Sequence, residues 1–171
     1  MKVALTGTPG TGKSSAVPLI EGIRVVTVGR LVEESGLAPE LDLATGALEI
    51  DTDALSRFVA GIEDNVLIEG HLSHLLGVDT AIVLRCSPKV LQKRLESRGY
   101  AAVKVRENME AEAVDVILIE ALGCAPTVCE IDTTHLSSAE VASAISAIMA
   151  GESEKYPVGH VDWSQEVLDW F

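Results

Sequence analysis

The hydrophobic positions of this chain follow two alternating rhythms. Short, nearly continuous apolar runs recur at KVALT (2–6), RVVTV (24–28), NVLIE (65–69), TAIVLRC (80–86) and TVCEI (127–131). Turn-forming Gly, Asp, Ser or Pro lies close to each, the pattern of buried strands. Between them the apolar residues take helical spacing. A helix is expected from Lys13, kinked or shortened by Pro18. Another covers RLVEES and ends at Gly36, and DTDALSRFVAGI (51–62) opens with an Asx/Thr start. Ser87 and Pro88 read as the N-cap and first position of a helix stopped by Gly99. One further helix is expected from about Val105 to Leu122, and a final one over SSAEVASAISAIMA. Residues 37–50 read as irregular, and a tail carrying Trp163 and Trp170 follows Gly151.

Strands alternating with helices predict an α/β fold: a five-stranded parallel sheet with helices on both faces, reached by right-handed crossovers. Ligands of such sheets bind beyond the carboxyl ends of the strands. The 171 residues suit a single domain, 1–171. Apolar residues make up 47% of the chain and aromatics only 4%, so the core must be aliphatic. No apolar run is long enough to span a bilayer, and MKVALTG is too short for a signal peptide, so a cytoplasmic location is expected. Cys86, Cys124 and Cys129 match no zinc spacing and read as small buried residues of a reducing compartment.

The net charge of −13 excludes nucleic-acid binding through bulk electrostatics and favours basic protein surfaces as partners. Seven of the 13 basic residues lie between Arg85 and Arg106, and none lies between Glu107 and Glu154. A local cationic patch on an anionic body suits a small anionic ligand.

The segment GTPGTGKS (7–14) fits G-x-x-x-x-G-K-[ST] between a strand and a helix. Glycines let the backbone curl so that several N–H groups point into one cavity, and the helix start adds its positive end. This is a P-loop, or Walker A motif. Lys13 is expected on the β- and γ-phosphates of a nucleoside triphosphate and the Ser14 hydroxyl on Mg²⁺. The Ras-type guanine reader N-K-x-D is absent, which leaves small phosphotransferases and small ATP-driven switches. Glu69, at the tip of the third strand, is placed to anchor the Mg²⁺ water shell, and His71 two residues on can orient water or donate to a phosphate. His74 reads as a surface residue. Arg94 and Arg98, four apart on one helix, are expected to present both guanidiniums from one face to the phosphates. Arg85 and Arg106 are weaker candidates, and Lys89 and Lys104 read as solvated.

In order and spacing, TGTPGTGKSS, TVGRLVEE, IEGHLSH, VLRCSPKVLQKRLESRGY and VRENMEAE resemble the small adenylate kinase of archaea and of the eukaryotic nucleus, over about residues 2–148. The resemblance implies a nucleoside-monophosphate kinase fold and reversible, broad-specificity phosphoryl transfer between ATP and AMP. It also implies ATP hydrolysis and a part in small ribosomal subunit maturation through a basic small-subunit ribosomal protein. By the same resemblance Gly10, Gly12, Lys13, Ser14, Ser15 and Arg98 bind ATP, residues 27–50 bind the monophosphate and residues 97–107 form a short lid. The acid-x-His pair of the family falls on Glu69 and His71, and the loop at 133–135 passes the adenine. The chain lacks the strand-three arginine that ordinary adenylate kinases carry in D-G-[FY]-P-R. The alternatives are an ATP-hydrolysing ribosome assembly factor with little kinase activity, and a kinase for a non-nucleotide alcohol.

Overall fold

The computed structural model describes residues 1–38, 40–41 and 48–170. Five strands, β1 (Lys2–Thr6), β2 (Arg24–Thr27), β3 (Val66–Glu69), β4 (Thr80–Arg85) and β5 (Thr127–Asp132), form one parallel sheet in the order β2-β3-β1-β4-β5. The chain works to one side of β1 and then to the other. A crevice therefore opens beside β1 at the carboxyl ends, where the glycine loop leaves the sheet.

Successive side chains of each strand serve opposite faces. Ala4, Val66, Ile68, Ala81 and Val83 pack on helices α2 (Val28–Ser35), α3 (Thr52–Ala60) and α6 (Val116–Cys124). Val3, Leu5, Leu67, Ile82 and Leu84 pack on α1 (Lys13–Ala16) and α7 (Ser138–Met149). A third cluster, Cys86, Leu91, Leu95 and Val105, joins α4 (Pro88–Ser97) to α5 (Ala102–Ala113).

The N-caps read from sequence are present: Asp51 accepts from Ala54 N, and Ser87 accepts from Val90 N with Pro88 at the first helical position. Ser137 and Glu140 add a capping box that the sequence reading did not name. Helix α1 lasts four residues before Pro18 starts a 3₁₀ turn, Val17–Leu19.

Four expectations are corrected. The single helix over 105–122 is two, because Asp115 takes a left-handed conformation (φ 59°) between α5 and α6. The segment 37–50 contains a short antiparallel pair, Glu40–Leu41 with Leu48–Glu49; positions 42–47, like Phe171, lie outside the described residues. The tail adds a helix, α8 (Ser164–Leu168), beyond the one taken as final. Cys124 is exposed, while Cys86 and Cys129 are buried as expected.

That tail is tied across the carboxyl end of the sheet. Tyr156 O accepts from Glu130 N, Glu166 accepts from Ser87 Oγ at 2.5 Å, and Lys89 pairs with Asp169 at 2.8 Å. Arg85, a weaker phosphate candidate, is committed elsewhere. Its guanidinium is buried among Glu112 (2.7 Å), Glu130 (2.6 Å) and Asp115. No buried side-chain N or O among the described residues lacks a partner. Arg106 is exposed and paired with Glu110, away from the crevice.

Removing Arg85 strands two buried carboxylates. Arg85→Ala is expected to cost about 3–5 kcal/mol in urea denaturation, whereas Arg106→Ala leaves the midpoint unchanged.

Candidate active site

The loop after β1 curls because three of its glycines take positive φ: Gly7 at 132°, Gly10 at 95° and Gly12 at 108°. Space forbids a side chain at Gly7, where a Cβ would stand 2.3 Å from Leu84 O, and crowds one at Gly10, where a Cβ would press on Leu91 Cδ1 at 2.8 Å. Gly12 is the N-cap of α1, so Lys13 and Ser14 open the helix at the positive end of its backbone.

Lys13 is only 7% exposed. Its ammonium donates to the carbonyls of Gly7 and Thr8, the latter at 3.1 Å. Burial pushes its pKa down to about 8; Glu69 and Glu112 oppose the shift and Arg98 adds to it.

Strand register delivers the acid. Glu69 lies opposite Leu5 on one side and Thr27 on the other, so its carboxylate emerges beside the loop. Ser14 Oγ and Glu69 Oε1 are 3.3 Å apart. Gly70 follows because a Cβ there would meet Val28 Cγ2 at 2.6 Å. His71 sits on the rim, its pKa lowered by partial burial, by Lys13 and by His74, with Glu69 opposing.

A cleft of about 530 Å³ collects these groups. Lys13, Ser14, Glu69 and His71 line one part, Thr27, Val28, Gly29 and Ile50 another, and Arg98 and Tyr100 a third. On the far side of the glycine loop is a smaller cavity of about 150 Å³, lined by Gly10, Gly12, Ser15, Arg94, Thr133 and Leu136. Arg94 and Arg98 therefore line different cavities rather than one. Arg94 Nη2 donates to Thr133 O at 2.8 Å and walls the smaller cavity, while Arg98, at the end of α4, faces the larger one.

A hydroxyl and one carboxylate make a hard oxygen pair. That fits a magnesium ion arriving with a nucleotide and keeping most of its water. No group of three or more His, Cys, Asp or Glu among the described residues forms a cage for a tightly held metal. Of the cationic patch, Lys89, Lys104 and Arg106 pair with acids at the surface, and no helix is long and apolar enough to cross a membrane among the described residues.

Three supporting residues have contacts that the sequence reading does not give, although it sets Thr133 in the loop expected beside the adenine. His74 is fully buried, not a surface residue; it links Thr6 Oγ1 (3.0 Å) to Glu120 (3.1 Å) and braces the start of the loop. Thr133 Oγ1 donates to Thr11 O at 2.7 Å. Glu112 accepts from Thr8 Oγ1 at 2.5 Å. Only Glu112 left a signal: with Val105 and Met109 it falls at i, i+4, i+7 on the inward face of α5.

Comparison with known proteins agrees with this geometry. A profile described as AAA domain matches residues 3–115. A protein named "Putative adenylate kinase" from Archaeoglobus fulgidus is 47% identical, covering 99% of this chain and 95% of its own length. Those of Natronomonas pharaonis and Methanocaldococcus jannaschii, with the same name, are 44% and 38% identical over 98% and 99% of this chain and 100% and 97% of their own. Shikimate kinase from Acinetobacter baumannii superimposes with a TM-score of 0.58 at 12% identity, covering 88% of this chain and 93% of that one. Deoxyadenosine kinase from M. mycoides does so with a TM-score of 0.54 at 15% identity, covering 88% and 100%. These two establish the fold alone, that of P-loop small-molecule kinases. The full-length relatives establish more: this chain belongs to the P-loop family of archaeal proteins that carry the adenylate kinase name.

Proposed function

We propose that this protein is a nucleoside-monophosphate kinase, chiefly an adenylate kinase, moving the γ-phosphoryl group of magnesium-bound ATP to AMP and back. The observation that carries the reading is the single cleft in which Lys13, Ser14 and Glu69 share walls with Thr27–Gly29, Ile50 and Arg98. A donor phosphate on the loop and an acceptor phosphate against residues 27–50 then meet without crossing protein.

In this reading the loop amides and Lys13 hold the β- and γ-phosphates, and Lys13 exchanges its carbonyl partners for phosphate oxygens. Gly10, Gly12 and Ser15 border the cavity that takes the rest of ATP, with Arg94 and Thr133 beyond them. Ser14 and Glu69 hold the magnesium, which neutralises charge on the phosphates. His71 orients the phosphate or its water from the rim. The AMP oxygen attacks phosphorus in line, and no covalent enzyme intermediate is needed because positioning and charge supply the acceleration. Residues 97–107 act as the lid. Gly99 (φ 76°) provides the hinge, and closure brings Arg98 onto the transferring group and excludes water.

A second reading, ATP hydrolysis in service of ribosome assembly, has its own support. Val114, Val116, Ile119 and Leu122 expose an aliphatic strip on and beside α6, and the acidic body suits a basic small-subunit ribosomal protein. The cleft also lacks an arginine at the end of β3 to clamp the acceptor phosphate, which favours water as an acceptor.

Lys13→Met is expected to lower AMP-dependent ADP formation by at least ~10³ with an unchanged circular dichroism spectrum; activity within tenfold of wild type overturns the assignment. The two readings separate in one coupled assay. ADP production that rises with AMP, and falls by roughly 10²–10³ in Arg98→Ala, supports the kinase. Turnover indifferent to AMP but raised by a basic small-subunit ribosomal protein supports the assembly factor.

A further inference from the structure

Glu112 has no part in the chemistry above, yet it is 3% exposed and lies beneath the glycine loop. Its two oxygens are differently employed. Oε1 accepts from Arg85 Nε (2.7 Å), Cys86 N (3.2 Å) and Trp163 Nε1 (3.3 Å). Oε2 accepts from the hydroxyl of Thr8 alone, at 2.5 Å.

Thr8 is the second residue of the loop motif and is itself buried. Its carbonyl receives Thr11 N at 3.2 Å, Thr11 Oγ1 at 2.9 Å and Lys13 Nζ at 3.1 Å. The orientation of that peptide therefore sets both the curl of the loop and the resting place of the lysine. Glycine-rich backbone has little stiffness of its own, so the orientation must be imposed from outside. The one side-chain bond on the Thr8 hydroxyl among the described residues comes from Glu112, and Glu112 is in turn fixed by Arg85, by the backbone after β4 and by the C-terminal tail.

We propose that Glu112 is a positioning residue for the phosphate-binding loop: its carboxylate anchors Thr8, and through Thr8 it fixes the loop in the form that receives the triphosphate. The arrangement uses a charge-assisted hydrogen bond away from water, where such a bond is strongest. It also joins the loop to α5, whose first residues follow Arg98 and Tyr100 of the proposed lid.

The inference rests on the loop binding ATP but not on AMP being the acceptor, so the experiment reads ATP affinity directly. Equilibrium binding of ATP with magnesium is measured by calorimetry on the full chain for wild type, Glu112→Gln, Thr8→Val, Thr8→Ser and the Glu112→Gln/Thr8→Val double variant, with melting temperatures alongside. Losing a hydrogen bond to a buried charged group is expected to weaken ATP binding about tenfold or more in Thr8→Val and Glu112→Gln. Thr8→Ser, which keeps the hydroxyl, stays near wild type, and the double variant is no weaker than the worse single one, because both remove the same bond. Thr8→Val is the safeguard should Glu112→Gln fold poorly, since it leaves the Arg85 network intact. Wild-type affinity in Thr8→Val, or fully additive losses in the double variant, overturns the proposal and leaves Glu112 as a partner of Arg85 only. Absence of ATP binding by folded wild type instead refutes the functional reading beneath it.

Discussion

Lys13 is an ammonium group nearly sealed from water, and most of the site follows from keeping it charged there. Burial disfavours the charged form and pulls its pKa down to about 8 even with Glu69 and Glu112 opposing. The loop answers by turning the carbonyls of Gly7 and Thr8 inward. Turning them requires positive φ and close approach to β4, and only glycine meets both demands at position 7. A lysine held this way is dry and aimed, and under the proposed function phosphate oxygens take over from the carbonyls with little rearrangement. The acids nearby complete the balance: Glu69 from the sheet and Glu112 from α5 stabilise the charge that burial disfavours.

The second constraint is the buried Arg85 and its three acids. Such clusters contribute little net stability against an apolar core of equal volume. Their value here is connectivity. Arg85 ends β4, Glu130 belongs to β5, Glu112 and Asp115 flank the α5–α6 break, and the tail reaches the same cluster through Trp163 and Gly159. Elements that meet nowhere else in sequence are registered against one another just behind the phosphate loop. Part of the strongly negative composition is thus internal and structural, which the total charge could not disclose.

What the sequence disclosed follows the range of the interactions. Strand positions, caps at Asp51 and Ser87, and the phosphate loop are written in adjacent residues and were legible. The α5–α6 break was not, because it depends on Asp115 accepting a left-handed conformation while bonded to Arg85, thirty places away. His74 read as surface because its partners, Thr6 and Glu120, come from distant elements. Arg94 and Arg98 share a helix face on spacing alone, yet Arg94 is drawn to the carbonyl of Thr133 from the loop after β5 and lines the smaller cavity, while Arg98, the C-cap of α4, lines the larger one.

That separation bears on how the cleft works. A loop with a cavity on each side can hold one molecule draped across it, with the phosphate end on the Lys13 side and the remainder on the Arg94 side. The larger cleft is then left open toward Thr27, Val28 and Ile50 for a second molecule. Arg94 is held by the carbonyl of Thr133. Arg98 follows the last turn of α4, precedes a glycine and makes no ion pair among the described residues. Under the proposed function, of the two guanidiniums the held one suits a wall and the one without an ion pair among the described residues suits charge that appears only as the phosphoryl group moves.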